Sequence, residues 1–157
     1  VTVPRPSRLD EIVEEFADLT PNLRLEALLD YSRQVPPLPP ELAEHRESLE
    51  QVQECQTPFF VATVLRDDGA VELFFDAPPE APTTRGFAGI LYEGLNEASA
   101  EEVLATPETF YAAMRLGEVV SPLRLRGIGA ILARLKRQVR AKLEAARAAQ
   151  VSDQAAG

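Results

Sequence analysis

One β-hairpin constrains this chain more than any other feature. Residues 59–65 are rich in β-branched and aromatic side chains, and Asp67-Asp68-Gly69 supplies turn chemistry. Val71, Leu73 and Phe75 then alternate with Glu72, Phe74 and Asp76. Two strands alone are marginal in water, so the pair must be extended or covered. The residues around 52–56 are read as a third strand. Elsewhere the apolar residues recur at helical spacing, so the expected class is α+β: a small antiparallel sheet packed against N- and C-terminal helices.

Leu9, Ile12, Val13 and Phe16 follow i, i+3, i+4, i+7, one stripe on a short helix ending before Pro21. A second helix starts at Pro21 or Asn22 and lines Leu25, Leu28, Leu29 and Tyr31 on one face. The cluster Pro36-Pro37-Leu38-Pro39-Pro40 ends it and makes a stiff extended connector. Residues 41–50 are polar and can hold a helical turn. Phe87, Ile90, Leu91 and Leu95 predict a helix over the sheet, and Gly86 and Gly89 on it suggest close packing, since each weakens the helix by about 1 kcal/mol against Ala. Shorter helical stretches are expected over 100–104 and 108–114, with Gly117 as a stop. Ser121-Pro122 is a strong start for the longest helix, whose stripe is Ile128, Ile131, Leu132, Leu135, Val139 and Leu143. The expectation is a single domain over 1–157, ordered from about 9 to 143 with frayed ends.

The net charge of −9 repels phosphate backbones and anionic lipid, which argues against nucleic-acid or membrane binding. The charge is unevenly placed. Residues 1–120 hold 8 Arg against 23 carboxylates, whereas residues 121–157 hold 8 cations against 2 carboxylates. The basic C-terminal segment reads either as a docking face for an acidic partner or as a solvated helix surface, with Arg134, Lys136, Arg137 and Arg140 off the apolar stripe. No window approaches 18 consecutive apolar residues, and Val1 to Asp10 shows no apolar signal core, so a cytoplasmic location is expected.

One cysteine, one histidine and one methionine are too few for a disulfide framework, a structural zinc site or a self-contained iron–sulfur cluster. Any sulfur chemistry must use one thiol. His45 lies in a polar stretch with no partner at metal spacing, and neighbouring acids such as Glu14-Glu15 point to different sides of a helix. Cys55 stands apart in Val52-Gln53-Glu54-Cys55-Gln56-Thr57-Pro58, a polar loop leading into the first strand. A thiol at a strand edge can reach a partner's active site, whereas a free cysteine is otherwise a small buried hydrophobe.

The pattern resembles the SufE sulfur-acceptor family, with the related CsdE proteins, from about Leu9 to Leu143. Its most specific block is the acceptor loop, usually Gly-Cys-Gln-Ser, here Glu54-Cys55-Gln56-Thr57. A second is the turn after the hairpin, residues 77–86, ending in Arg85-Gly86, and a third is Ser121-Pro122-Leu123-Arg124-Leu125-Arg126-Gly127 opening the last helix. Val35-Pro36-Pro37-Leu38-Pro39 is similar to the family's proline-containing connector. Glu54 replaces the usual Gly, Thr57 the usual Ser, and Pro78-Pro79 an Asp-Ser pair, while Glu80 keeps an acid and Arg126 stands where Asn is common. A side chain in place of Gly bears on loop flexibility and partner preference.

The resemblance implies a fold shared with IscU-type scaffolds and a sulfur relay. Cys55 would take persulfide sulfur from a SufS-like, pyridoxal-phosphate cysteine desulfurase, stimulate it, and pass the sulfur to a SufB-type scaffold for iron–sulfur cluster assembly. Such a carrier is not itself an enzyme and needs no metal or cofactor. Arg124 would support the loop or stabilise negative sulfur, or else form a surface ion pair. Glu54, Gln56, Glu80 and Arg85 would shape the loop or contact the partner, and the carrier would be a monomer or weak dimer. A shielded resting thiol, freed on docking, is expected because an exposed persulfide is lost to oxidants and stray thiols. The alternative is a regulator that acts on the desulfurase by docking alone, without the thiol. A cluster scaffold would usually need three cysteines, and a cysteine hydrolase would need His45 in relation to Cys55.

Overall fold

The computed structural model describes residues 7–156. Val1 to Pro6, most of the stretch inspected for a signal core, lie outside the described residues, as does Gly157. The fold is α+β. Helices α1 (Ser7–Ala17) and α2 (Pro21–Ser32) lead through the proline connector and a short helix α3 (Pro40–Ala43) to strand β1 (Glu50–Gln51). The hairpin β2 (Phe60–Leu65) and β3 (Val71–Asp76) follows, then α4 (Pro82–Leu95), α5 (Ala100–Ala105), two short 3-10 turns, and the long helix α6 (Pro122–Ala156).

The sheet is antiparallel in the order β1-β2-β3, with Val61 opposite Phe75 and Leu65 opposite Val71. Gly69, at φ +88°, makes the tight return between β2 and β3, and the N–H of Arg66 bonds the Ala70 carbonyl at 2.8 Å. Val71, Leu73 and Phe75 point inward as the alternation requires. The third strand is shorter and earlier than expected: Glu50 pairs with Val61 and Gln51 with Phe60. Val52 is buried and its N–H reaches the Phe59 carbonyl at 2.8 Å, closing the ladder. Beyond it Gln53, Glu54 and Gln56 favour water, and Pro58 has no N–H to give a ladder, so residues 53–58 leave the sheet as a loop.

The stripe of α1 is buried as read, but that of α2 is not. Leu28 and Tyr31 point inward, Leu25 is 41% exposed, and Arg24 is fully buried in its place. Its Nε donates to the Phe16 carbonyl at 3.0 Å, one terminal nitrogen to the Leu19 carbonyl at 2.5 Å, and the other to Glu118 at 2.6 Å. Where α1 ends, the Phe16 carbonyl accepts one backbone bond, from the Leu19 N–H at 3.2 Å, and among the described residues no backbone N–H outside regular helix and strand bonding reaches the Leu19 carbonyl; a cation at a helix C-terminus also meets the negative end of the dipole. Satisfying them outweighs the exposure of one leucine.

The suspicion about the α4 glycines holds. A Cβ on Gly89 would lie 1.9 Å from the Tyr31 carbonyl oxygen, and one on Gly86 2.7 Å from that of Leu28, so α2 and α4 meet backbone to backbone.

The stop expected at Gly117 falls instead at Arg115, whose left-handed backbone (φ 60°) separates the 3-10 turns Phe110–Met114 and Leu116–Glu118. Helix α6 starts at Pro122, with the Ser121 hydroxyl accepting from the Arg124 N–H at 3.4 Å. Its stripe from Ile128 to Val139 is buried, and Leu143 packs half-buried at the edge. Helical geometry continues past Ala145. The helix runs to Ala156 although every residue from 144 to 156 is exposed, and the alanines at 145, 146, 148 and 149 supply high helix propensity there. No described helix is long and apolar enough to cross a membrane.

Candidate functional site

The loop of residues 53–58 lies beside the first turns of α6, and between them and the N-terminal end of α4 is a cavity of about 120 Å³. Cys55 lines it together with Glu54, Gln56, Thr57, Glu80, Thr83, Arg124 and Gly127. Three distant segments are thereby brought together: the loop before β2, the turn after β3, and the start of α6. Arg85, the remaining candidate, is not part of this lining. Its guanidinium donates to the Ala77 carbonyl at 2.6 Å and the Ser32 carbonyl at 3.3 Å, tying the ends of β3 and α2 to α4.

Cys55 is half-buried, packed against the edge of the core. A Cβ on Gly127 would sit 3.5 Å from its Sγ, an ordinary contact distance, so the sulfur lies directly against the first turns of α6. Burial pushes the thiol up to about 11 from an ordinary value of 9.0; the Glu54 carboxylate adds to the rise, and the Arg134 cation opposes it. At neutral pH the resting group is therefore a protonated thiol, poor as a nucleophile.

Arg124 is exposed on the rim, its guanidinium 3.4 Å from the Thr83 hydroxyl, and Glu80 is exposed opposite. The Thr57 hydroxyl is buried without a hydrogen-bond partner among the described residues. His45 is exposed and pairs with Glu47 at 3.2 Å, outside the cavity lining. Among the described residues no group of three or more His, Cys, Asp or Glu is placed to hold a metal ion.

The basic face of α6 is mostly engaged within the molecule. Arg134 donates to Glu54 at 2.7 Å and lies 3.5 Å from Glu50, Arg137 also pairs with Glu50, and Lys136 pairs with Glu108 at 3.3 Å. The middle of this segment is thus neither a free docking face nor a merely solvated surface, since Arg134, Lys136 and Arg137 are paired within the molecule. Arg134 is the residue sequence reasoning passed over. The available signal was its spacing: seven residues after Gly127, it returns to the same side of the helix two turns on.

A family model described as "SufE: Fe-S metabolism associated domain" matches residues 10–139. The uncharacterized SufE-like proteins of Mycobacterium tuberculosis strains CDC 1551 / Oshkosh and ATCC 25618 / H37Rv are each 47% identical over 135 residues, covering 86% of this chain and 93% of theirs. The solution structure of a hypothetical protein from Thermus thermophilus superposes with a TM-score of 0.80 at 46% identity, covering 90% of this chain and 99% of that one.

Proposed function

Because the chain belongs to the SufE family, associated with Fe-S metabolism, we propose that it relays sulfur through Cys55 from a SufS-like cysteine desulfurase to a SufB-type scaffold. The observation that carries this reading is the cavity that gathers the chain's one cysteine with Arg124 and Glu80. Those residues come from segments separated by more than twenty positions each, and the sequence offers no other thiol.

In the proposed step the Cys55 thiolate attacks the terminal sulfur of a persulfide on the donor cysteine. The new S–S bond forms as the donor's S–S bond breaks, and the donor leaves as a thiolate carrying the electron pair. The sulfur changes hands with no net oxidation, so no external redox agent is required. Discharge repeats the exchange, with an acceptor thiolate attacking the terminal sulfur on Cys55. Arg124 lines the same cavity as Cys55, and in this reading its planar guanidinium would stabilise the diffuse charge of a persulfide anion.

The resting thiol is protonated and half covered, so transfer requires the loop to turn outward and regain water. Docking of the desulfurase would supply that change, and the thiol would recover an ordinary acidity on leaving the cavity.

Mass spectrometry after incubation with a SufS-like desulfurase and free cysteine tests the relay. One added sulfur atom on Cys55, absent in Cys55→Ser, is the expected result. Desulfurase stimulation of equal size by wild type and Cys55→Ser, with no sulfur on the wild type, would replace the relay by docking alone.

A further inference from the structure

Beyond the packing of Cys55 on the core edge, the loop that carries it makes few hydrogen bonds to the rest of the molecule. Among the described residues, the only backbone hydrogen bond made within positions 53–58 runs from the Cys55 N–H to the Val52 carbonyl, at 3.2 Å, and it does not leave the loop's own base. Thr57 makes no side-chain bond. Among the described residues, the one side-chain hydrogen bond between loop and body is that from Arg134 to Glu54, at 2.7 Å.

Arg134 is well fixed for this task. It rises from the buried stretch of α6 between Ile131 and Leu135, and its side chain is 24% exposed against 47% for Glu54. Its Nε faces Glu50 on β1 at 3.5 Å, and Glu50 is itself held by Arg137 and by the Gln138 amide at 2.9 Å. The guanidinium thus faces the Glu50 carboxylate with an Nε that makes no hydrogen bond among the described residues, and bonds the loop through its terminal nitrogen. A rigid strand and a rigid helix aim it at Glu54.

We propose that Arg134 is a positioning residue, and that its ion pair with Glu54 latches the Cys55 loop in the shielded arrangement. Opening the loop breaks this pair, and a partner that offers Glu54 a cation of its own, or Arg134 an acid, releases the loop without touching the sulfur. The purpose of the latch rests on the relay reading; its existence does not.

The chemistry of the pair gives a test in which two explanations move in opposite directions. If Arg134 acted on Cys55 only through its charge, removing it would disfavour the thiolate and slow the thiol's reaction. If it acts as a latch, removing it frees the loop and speeds the reaction. Free wild type, Arg134→Gln, Arg134→Met, Arg134→Lys, Glu54→Gln and the Glu54→Gln/Arg134→Gln double variant are alkylated with iodoacetamide, an uncharged reagent, at pH 8, with circular dichroism checking the fold. Glu50 keeps Arg137 and Gln138 in every variant, so the sheet edge retains its partners.

The expected result is alkylation about two- to fivefold faster in Arg134→Gln and Arg134→Met, with Arg134→Lys near wild type and the double variant no faster than Glu54→Gln. Unchanged or slower alkylation in folded Arg134→Gln and Arg134→Met overturns the latch. No desulfurase is present, so the two readings fail separately. Faster alkylation with no persulfide on Cys55 removes the relay alone, and persulfide loading with unchanged alkylation removes the latch alone.

Discussion

The acidity of Cys55 is the most direct handle on the resting site. With the thiol at about 11 rather than 9.0, the ionised fraction at pH 8 is about one in a thousand instead of about one in ten. Alkylation of the native protein should therefore be about a hundredfold slower at pH 8 than in urea, and should keep rising tenfold per pH unit to about pH 10. The same displacement acts on stability. The folded state prefers the neutral thiol, so the contribution is fully present below about pH 9 and is lost as pH rises to about 11. A rise of that size caps the effect at about 2.7 kcal/mol, and solvent screening at a half-buried group reduces it to about 1 kcal/mol. Urea titrations at pH 8 and pH 10.5, with Cys55→Ser as the control lacking the group, measure it. Alkylation that levels off at or below pH 9 in protein retaining its native circular dichroism would refute the account of a desolvated resting thiol.

Three further outcomes follow from packing. Gly89→Ala places a methyl 1.9 Å from the Tyr31 carbonyl oxygen and should cost at least about 2 kcal/mol in urea denaturation, since neither backbone can yield without parting α2 from α4. Arg24→Met takes the side-chain donor from the Leu19 carbonyl, leaves the Phe16 carbonyl only the Leu19 N–H and leaves Glu118 only Arg115, and should cost about 2 kcal/mol in the same assay. Ending the chain after Glu144 removes only exposed positions, so thermal unfolding should show a loss below about 1 kcal/mol while the far-ultraviolet helix signal falls in proportion.

What the sequence made legible was local in origin. The hairpin followed from two-residue alternation around Asp67-Asp68-Gly69, and α6 from Ser121-Pro122 and a stripe running to Leu143. The close approach at Gly86 and Gly89 was legible because glycine in a helix needs a reason. The hidden features depend on partners far along the chain. Leu25 and Arg24 are adjacent, and the Phe16 and Leu19 carbonyls together with Glu118 decide that the cation goes inward. Strand β1 is two residues long and is defined by Val61 and Phe60 across from it, which no propensity of Glu50 and Gln51 announces. At the site, the motif resemblance marked Cys55, Glu80 and Arg124, but Arg134 read as one more solvated charge because its partner lies eighty residues earlier.

The inward guanidinium of Arg24 has a consequence for the distant cavity. Glu118, which it grips, lies three residues ahead of the serine that begins α6, and Arg124 rides on the first turn after that serine. The segment that leads into the last helix is thus moored to the junction of the first two through one carboxylate. A substitution at Arg24 therefore reaches past its own helix, to the segment that delivers the rim cation.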